Sequence, residues 1–292
     1  MMQLSPVIVG TMRLGTWGSN FSTDEYEKFI DACLDLGLRD FDHADIYGHY
    51  YTEEEFGRVI KRRPDLKNSI QITTKCGIKL PGDTDRSYKY KTYDSSPEHI
   101  LSSVENSLTY LGVEKLDLLL LHRPDLLMDY GALARCIEDL KRQGKVLHFG
   151  VSNFTSFQLD HLNTLIPVEN HQQEISVSHL EAFQDGSLDW AYRNNCKVTA
   201  WSPLGGGAVF AKEKDKKIKR LSGLLEELAE KYNGSLSQIM LSWLRNHPIG
   251  IVPVLGTSKI SRIEEAKASL EIKLSKEDWY RVLEASQGHE VP

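Results

Sequence analysis

Four polar residues stand where an apolar run gives out, and their types fit one kind of chemistry. Asp42 and Tyr47 lie within RDFDHADIYGHYY (39–51), Lys75 ends SIQITTK, and His122 ends LDLLLLH. A tyrosine is a poor acid at its ordinary pKa of about 10. A neighbouring ammonium favours the phenolate and so makes the phenol a better proton donor. Asp42 would hold Lys75 charged and in place, while His122 would donate a hydrogen bond to an oxygen on which negative charge develops. Together the four suit reduction of an aldehyde or ketone. Taken singly, each has a structural reading: Lys75 and Asp42 as an ion pair, His122 as a satisfied core histidine, because a buried charge or polar ring needs a partner.

For these residues to meet, the elements that carry them must end at one face. Short β-rich runs alternate with segments of helical period. The strands are expected at 7–10, 39–42, 70–75, 116–122, 146–152, 170–175, 198–202 and 251–255. Between them, 24–36 places Tyr26, Phe29, Ile30, Cys33 and Leu34 on one face, with Ser22 and Glu25 as a capping box and Gly37 as a stop. Thr52 is expected to cap a short helix with Glu55. Ser96-Pro97 opens another, whose stripe is Ile100, Leu101, Val104, Leu108 and Leu111. Later helices follow around Leu133–Leu140 and over 155–165, 185–195, 221–232 and 236–247, the last capped by Ser235 with Gln238. Ser261 with Glu264 is expected to cap a helix after the eighth strand, and 276–285 adds one more.

Continuous apolar strands such as LDLLLL read as parallel strands covered by helices. Eight βα units with no linker between them predict an α/β fold: one (β/α)8 TIM barrel spanning 1–292, with long loops at 77–95 and 203–219 and an extra C-terminal helix. An open doubly wound sheet would call for a glycine fingerprint after the first strand, and GTMRLGTW is neither GxGxxG nor a phosphate loop. In the barrel, the polar ends of all eight strands share one mouth.

Composition narrows the partners. The net charge is −6, from 35 basic and 41 acidic residues, and no basic stripe interleaves with aromatics, which argues against nucleic acid. The cluster AKEKDKKIKR (211–220) reads as a solvated loop. No apolar run approaches a membrane span, and the start MMQLSPVIVG has no signal-peptide pattern. Cys33, Cys76, Cys136 and Cys196 form no CxxC, so neither a disulfide framework nor a zinc site is expected, and the setting is read as reducing and cytoplasmic. His43, Asp45 and His49 lack a second cluster to complete a metal site. Cys76 alternates with Lys75 and should point away from the mouth.

In order along the chain, GTMRLGTW, FDHADIYG with EEEFG, TTK, DLLLLHRPD, FGVSNF, QQE, AWSPLGGG and VLGTSKISRIEEA resemble the motifs of the aldo-keto reductases over about residues 6–270. The resemblance implies a catalytic tetrad of Asp42, Tyr47, Lys75 and His122, with Tyr47 as general acid. It also implies NADPH bound extended across the barrel mouth and a small-molecule carbonyl substrate. Carried over residue by residue, the cofactor contacts begin with Gly10, Thr11, Met12 and Asp42, then Ser152 and Asn153 at the carboxamide with Gln172 assisting, rather than Gln173. Trp201 would stack on the nicotinamide; Ser202, Leu204 and Gly205 would follow the pyrophosphate; Thr257, Ser258, Lys259 and Arg262 would clamp the 2′-phosphate, with Glu265 at the adenine. A guanidinium at a helix N-terminus suits a phosphate on physical grounds as well.

The sequence departs from the family pattern at His43, expected to face the helix layer; at His171, which replaces an asparagine; and at Trp201, an indole where tyrosine or phenylalanine is usual. Trp17, Tyr50 and Tyr51 are expected to wall the substrate beside Tyr47 and His122. Two other readings remain: a non-catalytic NADPH-binding sensor or regulatory subunit on the same fold, as in the family's potassium-channel β subunits, and a metal-dependent barrel isomerase or hydrolase. Substrate identity and oligomeric state, monomer included, are left open.

Overall fold

The computed structural model describes residues 2–82 and 84–292; Met1 and Asp83 lie outside the described residues. Eight parallel strands close into a barrel: β1 (Ile8–Gly10), β2 (Asp40–Asp42), β3 (Gln71–Cys76), β6 (Leu116–Leu121), β7 (Val146–Ser152), β8 (Asn170–Glu174), β9 (Lys197–Trp201) and β10 (Val252–Leu255). Each pairs with its sequence neighbour in the barrel, and β1 closes the ring against β10 through Ile8 with Val254 and Val9 with Leu255. All eight expected strands are present, with ends shifted by at most one residue.

The loop after β3 is more ordered than expected. It carries an antiparallel hairpin, β4 (Ile78–Lys79) with β5 (Thr92–Tyr93), standing above the barrel mouth. Arg86 pins the loop down. Its guanidinium lies between the rings of Tyr51 and Tyr110, donates to the Tyr50 carbonyl at 2.9 Å and pairs with Glu54 at 2.7 Å.

The helix layer comprises α1 (Thr23–Asp35), a single turn α2 (Tyr47–Tyr50), α3 (Thr52–Arg62), α4 (Pro97–Leu111), α5 (Tyr130–Arg142), α6 (Ser156–Asn163), α7 (Ser187–Arg193), α8 (Lys216–Lys231), α9 (Leu236–Arg245), α10 (Ile260–Ala268) and the added α11 (Lys276–Gln287). The capping boxes at Ser22/Glu25 and Ser235/Gln238 form as expected. Two other caps do not. Tyr51 is the N-cap of α3, so Thr52 is already helical and its buried hydroxyl has no partner among the described residues. The N-cap of α10 is Lys259, without a side-chain bond, so Ser261 lies inside the first turn.

The basic cluster read as a loop is half helix: Asp215 accepts from the Ile218 N–H and starts α8 at Lys216. On α4, Ile100, Val104, Leu108 and Leu111 are buried, but Leu101 is exposed, because the next residue on a helix is turned about 100° away from the stripe. Alternation along β6 divides the core. Leu119 and Leu121 pack into the large helix-facing cluster, while Leu118 and Leu120 point inward and are covered from below by Met2 and Leu4.

Candidate active site

β2 and β3 lie side by side, with Asp42 opposite Thr73, and Lys75 follows two residues later on the same inward face. Their side chains meet. Lys75 Nζ is 2.5 Å from Asp42 Oδ2, 2.8 Å from the His43 carbonyl and 3.3 Å from the Tyr47 hydroxyl. Lys75 is 1% exposed and Asp42 3%, so the ion pair is withdrawn from water. Gln172, in the middle of β8, donates to the other carboxylate oxygen at 2.9 Å and fixes its plane. His122 extends β6 and holds its register through an N–H bond to the Cys76 carbonyl; its ring lies edge-on to Tyr47 at 6.1 Å between centroids. The four residues singled out by type therefore converge.

Tyr47 reaches this point through a sharp turn. Gly48, His49 and Tyr50 all have φ between 56° and 74°, a left-handed run that costs non-glycine residues about 1–2 kcal/mol each. At Gly48 a Cβ would also meet the Thr52 hydroxyl at 2.4 Å, and at Gly15 one would meet it at 2.5 Å. Thr52 is thus the wedge that holds the loop after β1 against the Tyr47 turn.

Burial dominates the site's electrostatics. It pushes the Tyr47 pKa up, and the Lys75 ammonium opposes that rise without cancelling it. The expectation that Lys75 gives a phenol below its ordinary value is therefore corrected: desolvation wins, and Lys75 limits the cost. Burial also works against a charged Lys75, but Asp42, followed by Tyr47, outweighs it and the pKa is raised. His122 is driven well below its ordinary value, first by burial and then by Lys75, Arg123 and Lys91, so at neutral pH its ring is uncharged.

The residues marked for the cofactor ring the same mouth. Asn153, in a left-handed conformation (φ 61°), donates to Ser152 Oγ at 2.7 Å and accepts from the Trp201 indole N–H at 2.9 Å. Gln172 points into the barrel, whereas Gln173 turns outward and accepts from Ser187 Oγ at 3.1 Å. Thr11 is buried, with its hydroxyl on the Asp42 carbonyl and on His43 Nδ1, both at 3.1 Å. Gly10 lies so close to β10 that a Cβ would meet the Leu255 carbonyl at 2.9 Å, and Met12 is half-buried beside it.

After β9, Ser202 (φ 49°) and Gly205 (φ 57°) turn the chain, and Leu204 packs on the core. Across the seam, Ser19 Oγ donates to Ser258 Oγ at 2.6 Å, and Thr257 Oγ1 accepts from the Lys259 N–H. Lys259 and Arg262 are exposed and form no ion pair with a described residue. Glu265 accepts from the hydroxyls of Ser235 and Ser237, at 2.5 Å in the second case.

The match to known proteins follows this geometry. The model of the Aldo/keto reductase family fits residues 6–287. This chain belongs to that family. It is 40% identical over 293 residues to the Uncharacterized oxidoreductase YcsN of Bacillus subtilis, covering 100% of this chain and 97% of that protein. It is 34% identical to the 6-dehydroglucose reductase of Agrobacterium fabrum, covering 99% and 97%. Among solved structures, the glycerol dehydrogenase of Gluconobacter oxydans superposes with a TM-score of 0.86 at 27% identity, over 98% of this chain and 92% of that one.

Membership makes the protein an oxidoreductase of carbonyl chemistry, in a family that generally binds NAD(P)H. The residues present fit such a group. At Gly206 and Gly207 the backbone is left-handed and a Cβ would meet nothing within 4 Å, which leaves bare backbone beside Gly205 for a ligand to approach.

Several expected neighbours of the reductase's site have other contacts. His43 faces α3, edge-on to Phe56 at 4.6 Å, as its departure from the family pattern implied. His49 is exposed against the Trp17 ring, and Trp17 in turn lies 6.2 Å from Tyr47. Tyr50 braces the hairpin: its hydroxyl accepts from the Leu80 N–H at 2.6 Å. Tyr51 is tied to Asp85. Cys76 is buried in the helix-facing core, as alternation required.

Two cavities among the described residues bear on where the site lies. One, of about 270 Å³, lies at the opposite end of the barrel against Met2, Asp40 and Asp117, remote from the tetrad. The other, of about 370 Å³, opens at the mouth beside Asn153, Arg123 and Trp201. Arg123 was not marked by its sequence, although it directly follows His122; its guanidinium lies 5.7 Å from the centre of the Trp201 ring. Among the described residues, no helix is long and apolar enough to cross a membrane.

Proposed function

We propose that the protein reduces an aldehyde or ketone to an alcohol with NADPH, and that Tyr47 supplies the proton. The observation that carries this reading is the buried Lys75 ammonium, held between Asp42 and the Tyr47 hydroxyl at 2.5 and 3.3 Å. Bound NADPH supplies the hydride. The chain's own residues supply everything else. An uncharged His122 donates one hydrogen bond to the carbonyl oxygen, which polarises the carbonyl without repelling Lys75. Tyr47 gives its proton as the oxygen becomes an alkoxide, and the phenolate left behind is stabilised by Lys75. Asp42 keeps Lys75 charged, Gln172 keeps Asp42 oriented, and the Trp17 ring closes one side of the space above Tyr47.

Preference for NADPH over NADH rests on Lys259 and Arg262 at the first turn of α10, two exposed cations free to pair with a 2′-phosphate. Purified protein is expected to oxidise NADPH in the presence of aldehydes such as 4-nitrobenzaldehyde. Tyr47→Phe should cut that rate by roughly 10²–10⁴-fold while leaving NADPH binding, followed by fluorescence, unchanged. A Tyr47→Phe variant with wild-type turnover would remove Tyr47 as the donor. Arg262→Ala should weaken NADPH about tenfold or more and NADH hardly at all; equal losses for both would refute the clamp.

A further inference from the structure

Behind the Lys75 strand sit two carboxylates that the reaction above does not use. Glu53, in the first turn of α3, is 2% exposed. One of its oxygens accepts from Thr74 Oγ1 at 2.5 Å and the other from Ser107 Oγ at 2.9 Å. Asp45 lies two residues before Tyr47, its backbone N–H bonded to the Lys75 carbonyl at 3.0 Å. One of its carboxylate oxygens, Oδ1, is buried with no hydrogen-bond partner among the described residues. Neither acid forms an ion pair with a described residue. Glu53 is buried and Asp45 half-buried with its Oδ1 enclosed; anchored to the adjacent Thr74 and Lys75 of β3 without a cation in contact, the two cannot both stay ionised cheaply.

Resting on the carbonyl-reductase reading, we propose that Asp45 and Glu53 are positioning residues that share one proton, and that loss of this proton as pH rises weakens Tyr47 as a proton donor. The groups facing the pair bear this out. Tyr47 and Tyr50 come from the turn after β2, Lys75 and the uncharged thiol of Cys76 from β3, and only hydroxyls, Ser103 and Ser107, from α4. Among the described residues Lys75 is thus the cation that acts on both, and it is already committed to Asp42. Burial raises the Glu53 pKa to about 7 and that of Asp45 well above the usual carboxylate range, Glu53 contributing to the latter. A second negative charge here holds the Tyr47 proton more tightly, as Asp45 already does.

Two readouts test this, and only one needs turnover. In the cofactor-free protein at pH 6, infrared spectroscopy should show the carbonyl band of a protonated carboxylic acid, which is lost in Glu53→Gln or Asp45→Asn and fades in the wild type as pH rises above neutrality. The second readout is kcat/KM for carbonyl reduction between pH 6 and 9. The wild type should fall roughly three- to tenfold through a step near neutrality, whereas Glu53→Gln, which keeps an acceptor for Thr74, should stay level across that window. Asp45→Asn provides a second, independently folded check. Absence of the acid band in the wild type, or variant pH profiles that superimpose on the wild-type profile, would overturn the proposal. If the wild type reduced no carbonyl at all, the reductase reading would fail while the infrared band still decided the shared proton.

Discussion

Replacing Lys75 by methionine tests the centre of the site, because it separates the stability that Lys75 confers from the chemistry it supports. The side chain is 1% exposed and makes three contacts: the Asp42 carboxylate, the His43 carbonyl and the Tyr47 hydroxyl. Methionine fills similar volume but leaves Asp42 buried with Gln172 as its remaining donor, and breaking a buried pair from one side costs about 3–5 kcal/mol. The raised pKa of Lys75 places this stabilisation fully below the unfolded value of about 10.5, to be lost only as pH rises through the folded value, so an assay at pH 7.5 captures all of it.

Adding Asp42→Asn removes the orphaned charge. An asparagine there still accepts from Gln172, and the double variant should regain about 2–3 kcal/mol in urea unfolding relative to Lys75→Met alone. Activity should not return with it. In both variants burial acts on the Tyr47 phenol unopposed, so kcat/KM for NADPH-dependent aldehyde reduction should stay roughly 10²–10⁴-fold below wild type. A double variant as unstable as the single one would show that the ion pair is not what the mutation breaks. A double variant with recovered turnover would refute the role given to the ammonium.

Two further outcomes follow from burial elsewhere. His171 is fully enclosed, with both ring nitrogens unpartnered among the described residues, and burial lowers its pKa to about 4. A histidine held neutral in the fold contributes stability that is present above the unfolded pKa of about 6.5 and lost as pH falls toward the folded value. His171→Leu should therefore lose about 2 kcal/mol less than wild type between pH 7 and pH 5, read from urea midpoints; equal slopes would contradict it. At Gly57 a Cβ would meet the Tyr110 carbonyl at 1.8 Å, while at Gly223 on α8 it would meet nothing within 4 Å. Gly57→Ala should cost about 3 kcal/mol or more by prising α3 from α4, and Gly223→Ala should stabilise by up to about 1 kcal/mol; thermal melts that rank the two the other way would refute the packing argument.

Several strands, LDLLLL above all, were legible as short apolar runs, and the tetrad because charged residues closing such runs are costly unless they have partners. What the sequence concealed depends on neighbours far along the chain. The alternation of Tyr88-Lys89-Tyr90-Lys91 stops short of Thr92-Tyr93, the two residues that actually pair in the hairpin, which Arg86 and Tyr50 brace from outside it. The run Glu53-Glu54-Glu55 reads as a solvated helix start, yet Glu53 is buried because Thr74 and Ser107 reach it from two other elements. Thr52 and Ser261 have the residue types of helix caps, but in each case the helix begins at or before the residue. The sign of the Tyr47 shift was misjudged because a pairwise argument from Lys75 omits desolvation, which only the folded surroundings set.

The barrel's seam has a consequence for how the chain is made. β1 pairs with β10, so the first strand to leave a ribosome must wait for the last one, with more than 240 residues of synthesis between them. Until then β1 presents an open edge, and the Ser19–Ser258 hydrogen bond and the Arg245 bond to the Pro6 carbonyl cannot form. The proposed clamp at Thr257–Arg262 and the loop from Gly10 lie on opposite banks of this seam. A dinucleotide spanning them would bind only the closed barrel and would in turn stabilise that closure.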